Sequence, residues 1–291
     1  MSSASIDVAA IRGEQRTIWN SVAGPWQRWA PQFERGAGVV TRRLIELGGV
    51  TAGQRVLDVG TGVGEPARTA AGVVGPGGSV LAIDPAPEMI AAAQRAGADR
   101  HNLHFAVGDV ETATLPLGAF DVVLSRWALM FAADRVATLR RVAGLLRPGG
   151  VLAAAVWGPP PSVPMISLGF AVISRQLALD PPPPGGPGPF SMADPTQAAE
   201  ELRAAGFVEV AVEECVVPFV LDSVDEFVTF TRDVLPPRMR QLLTDRCGAV
   251  DDPQIWAAVR AEAERFVTAD GTVSLPSVSL CLRAVAEGGP A

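Results

Sequence analysis

Three acidic residues close three short apolar runs: Asp58 in VLDVGTGVGEPA, Asp84 in AIDPAPEMI and Asp109 in VGDVE. After the first, Gly60, Gly62 and Gly64 permit a tight turn and a close backbone approach to a ligand, and Pro66 stands where a first helical turn tolerates it. A carboxylate at Asp58 would repel a dinucleotide's pyrophosphate, and GxGxG departs from GxGxxG, so the ligand expected here is cationic. An amino acid bearing both an ammonium and a sulfonium suits the position. Thr61 belongs to the same loop. Asp84, with Pro85 behind it, falls where an acid accepts both hydroxyls of a ribose, which a dinucleotide would also require. Met89 lies one helical turn on, where its thioether can pack on a purine face. Asp109 can accept from an adenine amino group, with Val110 covering the ring.

A second group follows the fourth apolar run: Ser125, Arg126, Trp127 and Met130. Ser125 is read with the cofactor and the other three as acceptor-positioning residues. Arg126 can orient an anionic acceptor, and a salt bridge to an acid of the N-terminal segment is an equal alternative. Trp19, Trp26 and Trp29 fall within eleven residues and form either a helix-packing cluster or a lid over the pocket. His101 and His104, the only histidines, precede or enter the third run at its amino end, whereas ligands of such sheets sit at the carboxyl ends; a structural role is expected. The chain contains no Lys and no Tyr, and all 24 basic residues are Arg. Schiff-base chemistry, a P-loop lysine and a tyrosine acid or base are therefore excluded. Cys215, Cys247 and Cys281 are far apart and fit free thiols, and no metal site is expected.

These residues need an alternating frame. From Gly53 to Gly158, apolar runs at Arg55 to Val59, Ser79 to Ile83, Leu103 to Val107, Phe120 to Ser125 and Val151 to Trp157 alternate with Ala/Arg-rich helical stretches, the pattern of a parallel α/β sheet. Asp134 to Arg147 reads as a helix capped by Asp134 and stopped at Pro148-Gly149-Gly150. Residues 1–50 read as an N-terminal helical lid and 51–158 as the ligand-binding core. Residues 159–194 read as a Pro-rich cap insertion around an apolar helix from Val163 to Leu179, which either roofs an apolar substrate or buries a homodimer interface. Residues 195–291 read as a helix from Pro195 to Ala205, strands at Val208 to Val217 and Val278 to Val285, and a helical insertion at about 222–270.

Composition narrows the class further. The 291 residues are 48% apolar and 19% charged, with no apolar run long enough to span a membrane and no secretion signal at the start, so a cytoplasmic location is expected. A net charge of −7 opposes a nucleic-acid partner and favours a small molecule.

In these motifs the chain resembles the class I S-adenosylmethionine-dependent methyltransferases, in the branch that includes the ubiquinone and menaquinone biosynthesis enzymes. VLDVGTGVGEPA is similar to the family's motif I, AIDPAPEMI to its ribose loop, VGDVE to its adenine loop, and LLRPGGVLAAAVW to its late helix, PGG turn and fifth strand. The resemblance covers residues 15–217 and implies a Rossmann-like doubly wound sheet of order 3-2-1-4-5-7-6 with the last strand antiparallel. It also implies S-adenosylmethionine as cofactor, S-adenosylhomocysteine as product, and methyl transfer to an O, N or C nucleophile. An NAD-dependent oxidoreductase, disfavoured by Asp58, and a non-catalytic cofactor-binding protein are the alternatives.

Overall fold

Seven β-branched and aliphatic runs pair into one sheet in the computed structural model, which describes residues 7–181 and 185–287. The strands are β1 (Arg55–Val59), β2 (Ser79–Asp84), β3 (Leu103–Val107), β4 (Phe120–Arg126), β5 (Leu146–Trp157), β6 (Phe207–Leu221) and β7 (Val273–Ala286), in the expected order β3-β2-β1-β4-β5-β7-β6. Strands β1 to β5 are parallel, and β7 runs antiparallel to β5 and β6. Val56, Leu57, Val59 and Val122 to Leu124 are buried on both faces, as central parallel strands require. The chain reverses its winding between β1 and β4, which opens a crevice at their carboxyl ends.

Nine α-helices are seen among the described residues: α1 (Val8–Gly48), α2 (Ala67–Val74), α3 (Pro87–Ala96), α4 (Arg135–Leu145), α5 (Pro164–Gln176), α6 (Pro195–Ala204), α7 (Val224–Asp233), α8 (Pro237–Cys247) and α9 (Pro253–Ala263). Side-chain oxygens of Asp7, Asp134, Asp194, Ser223 and Asp252 accept first-turn N–H groups and set where five of them begin. None of these helices is long and apolar enough to cross a membrane.

The structure corrects several boundaries. The N-terminal segment, read as helices, is one helix of 41 residues that passes through Pro25 and Pro31. Each proline removes one hydrogen bond, and the residues whose carbonyls are released, Ser21 and Gln27, are exposed to water. The helix from Asp134 stops at Leu145 rather than Arg147, because Leu146 already pairs with Phe120 and the Pro-Gly-Gly run becomes an irregularity inside β5. The last two strands are much longer than expected. β5 leaves β7 at Ser279, but β6 and β7 continue together to Leu221 and Val273, with Pro218 opposite Pro276. This two-stranded arm brings Phe219 against Gly36 of α1, where a Cβ would lie 2.9 Å from the ring.

The segment read as a cap insertion contains α5, whose Met165, Leu168, Val172 and Ile173 are buried. Gly169 lets α5 cross Thr231 of α7 at close range. Residues 182–184 of the Pro-rich run 181–189, and the two chain ends at 1–6 and 288–291, lie outside the described residues.

Candidate cofactor and acceptor site

The loop after β1 is held by backbone bonds before any ligand is considered. The N–H groups of Gly60 and Thr61 donate to the Ile83 carbonyl at 2.9 and 3.0 Å, which fixes the loop against the end of β2. Gly60, Gly62 and Gly64 all adopt positive φ, the left-handed region that Gly enters without strain. Gly60 is also packed so closely that a Cβ would overlap the Ala128 methyl group.

Near the end of β1, just before this loop, Asp58 is fully buried and neither carboxylate oxygen has a partner at full hydrogen-bond geometry; the buried Thr61 hydroxyl and the Ala67 N–H face it and favour its charged form only in part. Burial pushes the Asp58 carboxyl up to about 7. Asp84 is 6% exposed and accepts the Gly62 N–H at 2.9 Å on one oxygen and the Ala86 N–H at 2.9 Å on the other. Burial raises it to about 6, and the charge of Asp109 adds to the rise. Asp109 accepts the Glu111 N–H at 2.8 Å. The three strand-end acids therefore meet at one edge of the sheet, and an orphaned buried carboxylate there fits a cationic group.

Met89 is buried with Val22, Ala23 and Ala86, and Trp19, Trp26 and Val63 pack on that cluster. Helix α1 thus lies over the loop that contains Pro85. Trp19 meets the edge of Phe131 at 5.0 Å, whereas Met130 is turned into the core and its carbonyl accepts from Gly188 and Ser191. Trp29 donates its indole N–H to Asp233 of α7 at 2.9 Å. Ser125 donates its hydroxyl to the Val59 carbonyl at 2.9 Å, and Val110 is buried with its carbonyl bonded to Arg141.

Of the two roles open to Arg126, the structure displays the ion pair. Its guanidinium, 7% exposed, bonds both carboxylate oxygens of Glu34 on α1 and the Thr41 hydroxyl at 2.7 Å. It also lies 5.1 Å from the Trp127 ring centroid. Trp127 has φ 57°, stacks on Trp157 at 4.1 Å and donates to Ser279 at 3.0 Å. Phe33, Phe219 and Phe230 continue this aromatic wall.

Glu34, Phe33, Glu111, Phe131 and Arg141 were absent from the sequence reading. Glu111 joins the N-terminal end of α1 to the loop after β4, since it accepts the Ala133 N–H at 3.0 Å and lies 3.5 Å from Arg12. Glu111 closes the VGDVE motif without having been given a role there, and the other four lie outside the motifs, so their contacts are revealed only by the fold. His101 and His104 are exposed at the amino end of β3, opposite the crevice edge. All three cysteines are free, and no cluster of metal-binding side chains occurs among the described residues.

Residues 57–154 match the family described as "Methyltransferase domain". The chain is 34% identical to nocamycin O-methyltransferase of Saccharothrix syringae over 66% of this chain and 72% of that protein. It is 39% identical to aklanonic acid methyltransferase DauC of Streptomyces sp. (strain C5) over 38% of this chain and 52% of that one. Against the ubiquinone/menaquinone biosynthesis C-methyltransferase UbiE of Ectopseudomonas mendocina the identity is 31%, over 49% and 57%. Among solved structures, the [4+2]-cyclase SpnF shares the fold at TM-score 0.61 and 20% identity, over 94% and 96% of the two chains. A Haemonchus contortus phosphoethanolamine N-methyltransferase with bound S-adenosylmethionine does so at TM-score 0.57 and 19% identity, over 96% and 60%.

Proposed function

As the chain belongs to the class I S-adenosylmethionine-dependent methyltransferases, we propose that it methylates an O, C or N nucleophile of a small, largely apolar acceptor of aromatic, quinol or enol type. The observation that carries this reading is Asp58, a fully buried carboxylate at the end of β1, beside the glycine loop, whose oxygens lack a partner at full hydrogen-bond geometry. Leaving such a group unpaired is costly, and a cationic ligand offsets that cost. When bound, S-adenosylmethionine supplies an electrophilic methyl group and departs as S-adenosylhomocysteine. Asp58 and the Gly60–Gly64 loop hold its amino-acid end, Asp84 and Pro85 its ribose, and Asp109, Val110 and Met89 its adenine. Trp19 and Trp26 exclude water from above. Trp127 and the neighbouring rings align a flat acceptor, and the names of the nocamycin and aklanonic acid relatives support a small-molecule substrate. Alignment can supply most of the acceleration, so a strong protein base is not required.

Calorimetry tests the cofactor assignment. Asp84→Ala is expected to weaken S-adenosylmethionine and S-adenosylhomocysteine by about 1.5 to 3 kcal/mol, the range for a hydrogen bond to a charged group. The two raised acids give the sign of the pH dependence. Between the usual carboxylate range and about 7, the folded ligand-free protein binds more protons than the unfolded chain, so its stability falls as pH rises through that window. The cationic end prefers an ionised Asp58 and the ribose hydroxyls donate best to an ionised Asp84, so S-adenosylmethionine affinity should rise from about pH 5.5 to 7.5, with protons released. A flat profile, or tight NAD binding without either sulfur ligand, overturns the assignment.

The histidines supply a separate test. His101→Gln combined with His104→Gln should leave single-turnover methyl transfer within a few-fold. A loss of about 100-fold at unchanged cofactor affinity would identify an imidazole base and contradict the alignment mechanism.

A further inference from the structure

Beside the cofactor loop, a groove of about 800 Å3 runs between α1 and the facing parts of α2 and α3, within the ~300–1,000 Å3 of typical small-molecule sites. Small residues keep its walls apart: Ala30 and Gly38 on α1, Ala92 and Ala96 on α3. Arg42, Arg68 and Arg95 line it together with Glu34 and Glu65. Both acids are already engaged. Glu34 pairs with Arg126, and Glu65 accepts the Thr69 N–H and hydroxyl at 3.2 and 2.8 Å.

The three arginines are not satisfied in the same way. Arg68 reaches Glu65 only at 3.7 Å, and its Nε is buried with no acceptor. Arg95 donates to the Gln27 amide at 2.8 Å, and among the described residues neither Arg95 nor Arg42 is in an ion pair. In a chain of net charge −7, two arginines without an ion pair, Arg42 and Arg95, thus line one concave site beside Arg68. The adjoining crevice has the opposite character, since Asp58, Asp84 and Asp109 favour cations. One edge of the molecule therefore carries an acidic cleft beside a groove lined by three arginines.

The groove also leads toward the reaction centre. Glu34 and Thr41 belong to its lining, and both bond Arg126, the last residue of β4. We propose that the groove binds a carboxylate on an elongated, otherwise apolar methyl acceptor, an inference that rests on the methyl-transfer reading above. Guanidinium groups suit this task, because their planar donors match a carboxylate's two oxygens.

The test compares 4-phenylbutyrate with its neutral isostere 4-phenylbutanamide as calorimetric ligands of the full chain saturated with S-adenosylhomocysteine. The carboxylate should bind at least tenfold tighter than the amide. The double variant Arg42→Ala/Arg95→Ala should erase that preference to within twofold, and the corresponding double lysine variant should keep part of it. Equal binding of the two probes, no binding of the carboxylate, or an undiminished preference in the alanine variant overturns the proposal. A tenfold loss of S-adenosylhomocysteine affinity in the alanine variant also overturns it, because the groove would then hold the cofactor's own carboxylate. If the unmodified protein fails to bind S-adenosylhomocysteine at all, the methyl-transfer reading falls first, and that result is distinguishable from a lack of carboxylate preference.

Discussion

Replacing Gly60 by alanine should weaken S-adenosylmethionine on the order of 100-fold or more, whereas the same change at Gly62 should cost about 1 kcal/mol. Both residues have positive φ, 70° and 55°, so both substitutions incur the ~1–2 kcal/mol that an L side chain meets in the left-handed region. The difference lies in space. A Cβ on Gly62 meets nothing within 4 Å, but a Cβ on Gly60 would occupy the volume of the Ala128 methyl group. Relief requires moving either the glycine loop or the segment after β4, and overpacking of this kind costs about 1–3 kcal/mol more. Each movement displaces part of the site, because the Gly60 N–H is bonded to Ile83 and Trp127 precedes Ala128. Titration calorimetry on the two variants, with thermal unfolding to separate affinity from folding, reads the ranking directly. Similar losses at the two positions would show that the close approach to Ala128 does not constrain the site.

That ranking was out of reach of the sequence, although the glycines themselves were not. The carboxyl-end acids and the glycine loop were legible because each is a local signal, an acid or glycine directly after a β-branched run, and the parallel α/β frame fixes which edge such positions share. Gly60 was therefore read in the loop after the first strand, where it lies, but its neighbour Ala128 is 68 positions away in the chain numbering, and no periodicity links them. The β6–β7 arm failed for a different reason. The expected strands ended at Val217 and began at Val278, short of Pro218 and Pro276, yet β6 is the edge strand and beyond Ser279 β7 is no longer paired with β5, so missing ladder donors are tolerated there. The single helix α1 is the same lesson in helical form, since it contains Pro25 and Pro31 and the residues four before them, Ser21 and Gln27, are exposed to water. The order of the seven strands came from the resemblance in four motifs, not from the pattern of apolar runs, which does not determine where β6 and β7 insert. Trp19, Trp26 and Trp29 were recognised as a group but not resolved by task. The first two close on the cluster around Met89, while Trp29 is tied to α7 through Asp233.

Arg126 shows how far such a nonlocal contact can reach, and Glu34→Gln should destabilise the protein by about 3 kcal/mol. The guanidinium is 7% exposed and its partner 27%, so the arginine has given up most of its hydration and depends on Glu34 for both carboxylate bonds. Glutamine keeps one carbonyl acceptor but no charge, which leaves a buried cation with that oxygen, the Thr41 hydroxyl and the face of Trp127, and with no counter-charge at Glu34. The glutamate keeps some solvent, which places the expected cost at the lower end of the ~3–5 kcal/mol for breaking a buried pair. The remedy differs from an ordinary deletion. Arg126→Met in the Glu34→Gln background should recover part of the loss, because removing both charges also removes the desolvation cost of each. Urea unfolding of the two single variants and the double variant closes the cycle. Single-variant losses below about 0.5 kcal/mol, with no coupling, would place the pair among exposed bridges of little weight. A coupled loss would instead identify Glu34–Arg126 as the contact that fixes helix α1 over the end of β4, directly before Trp127.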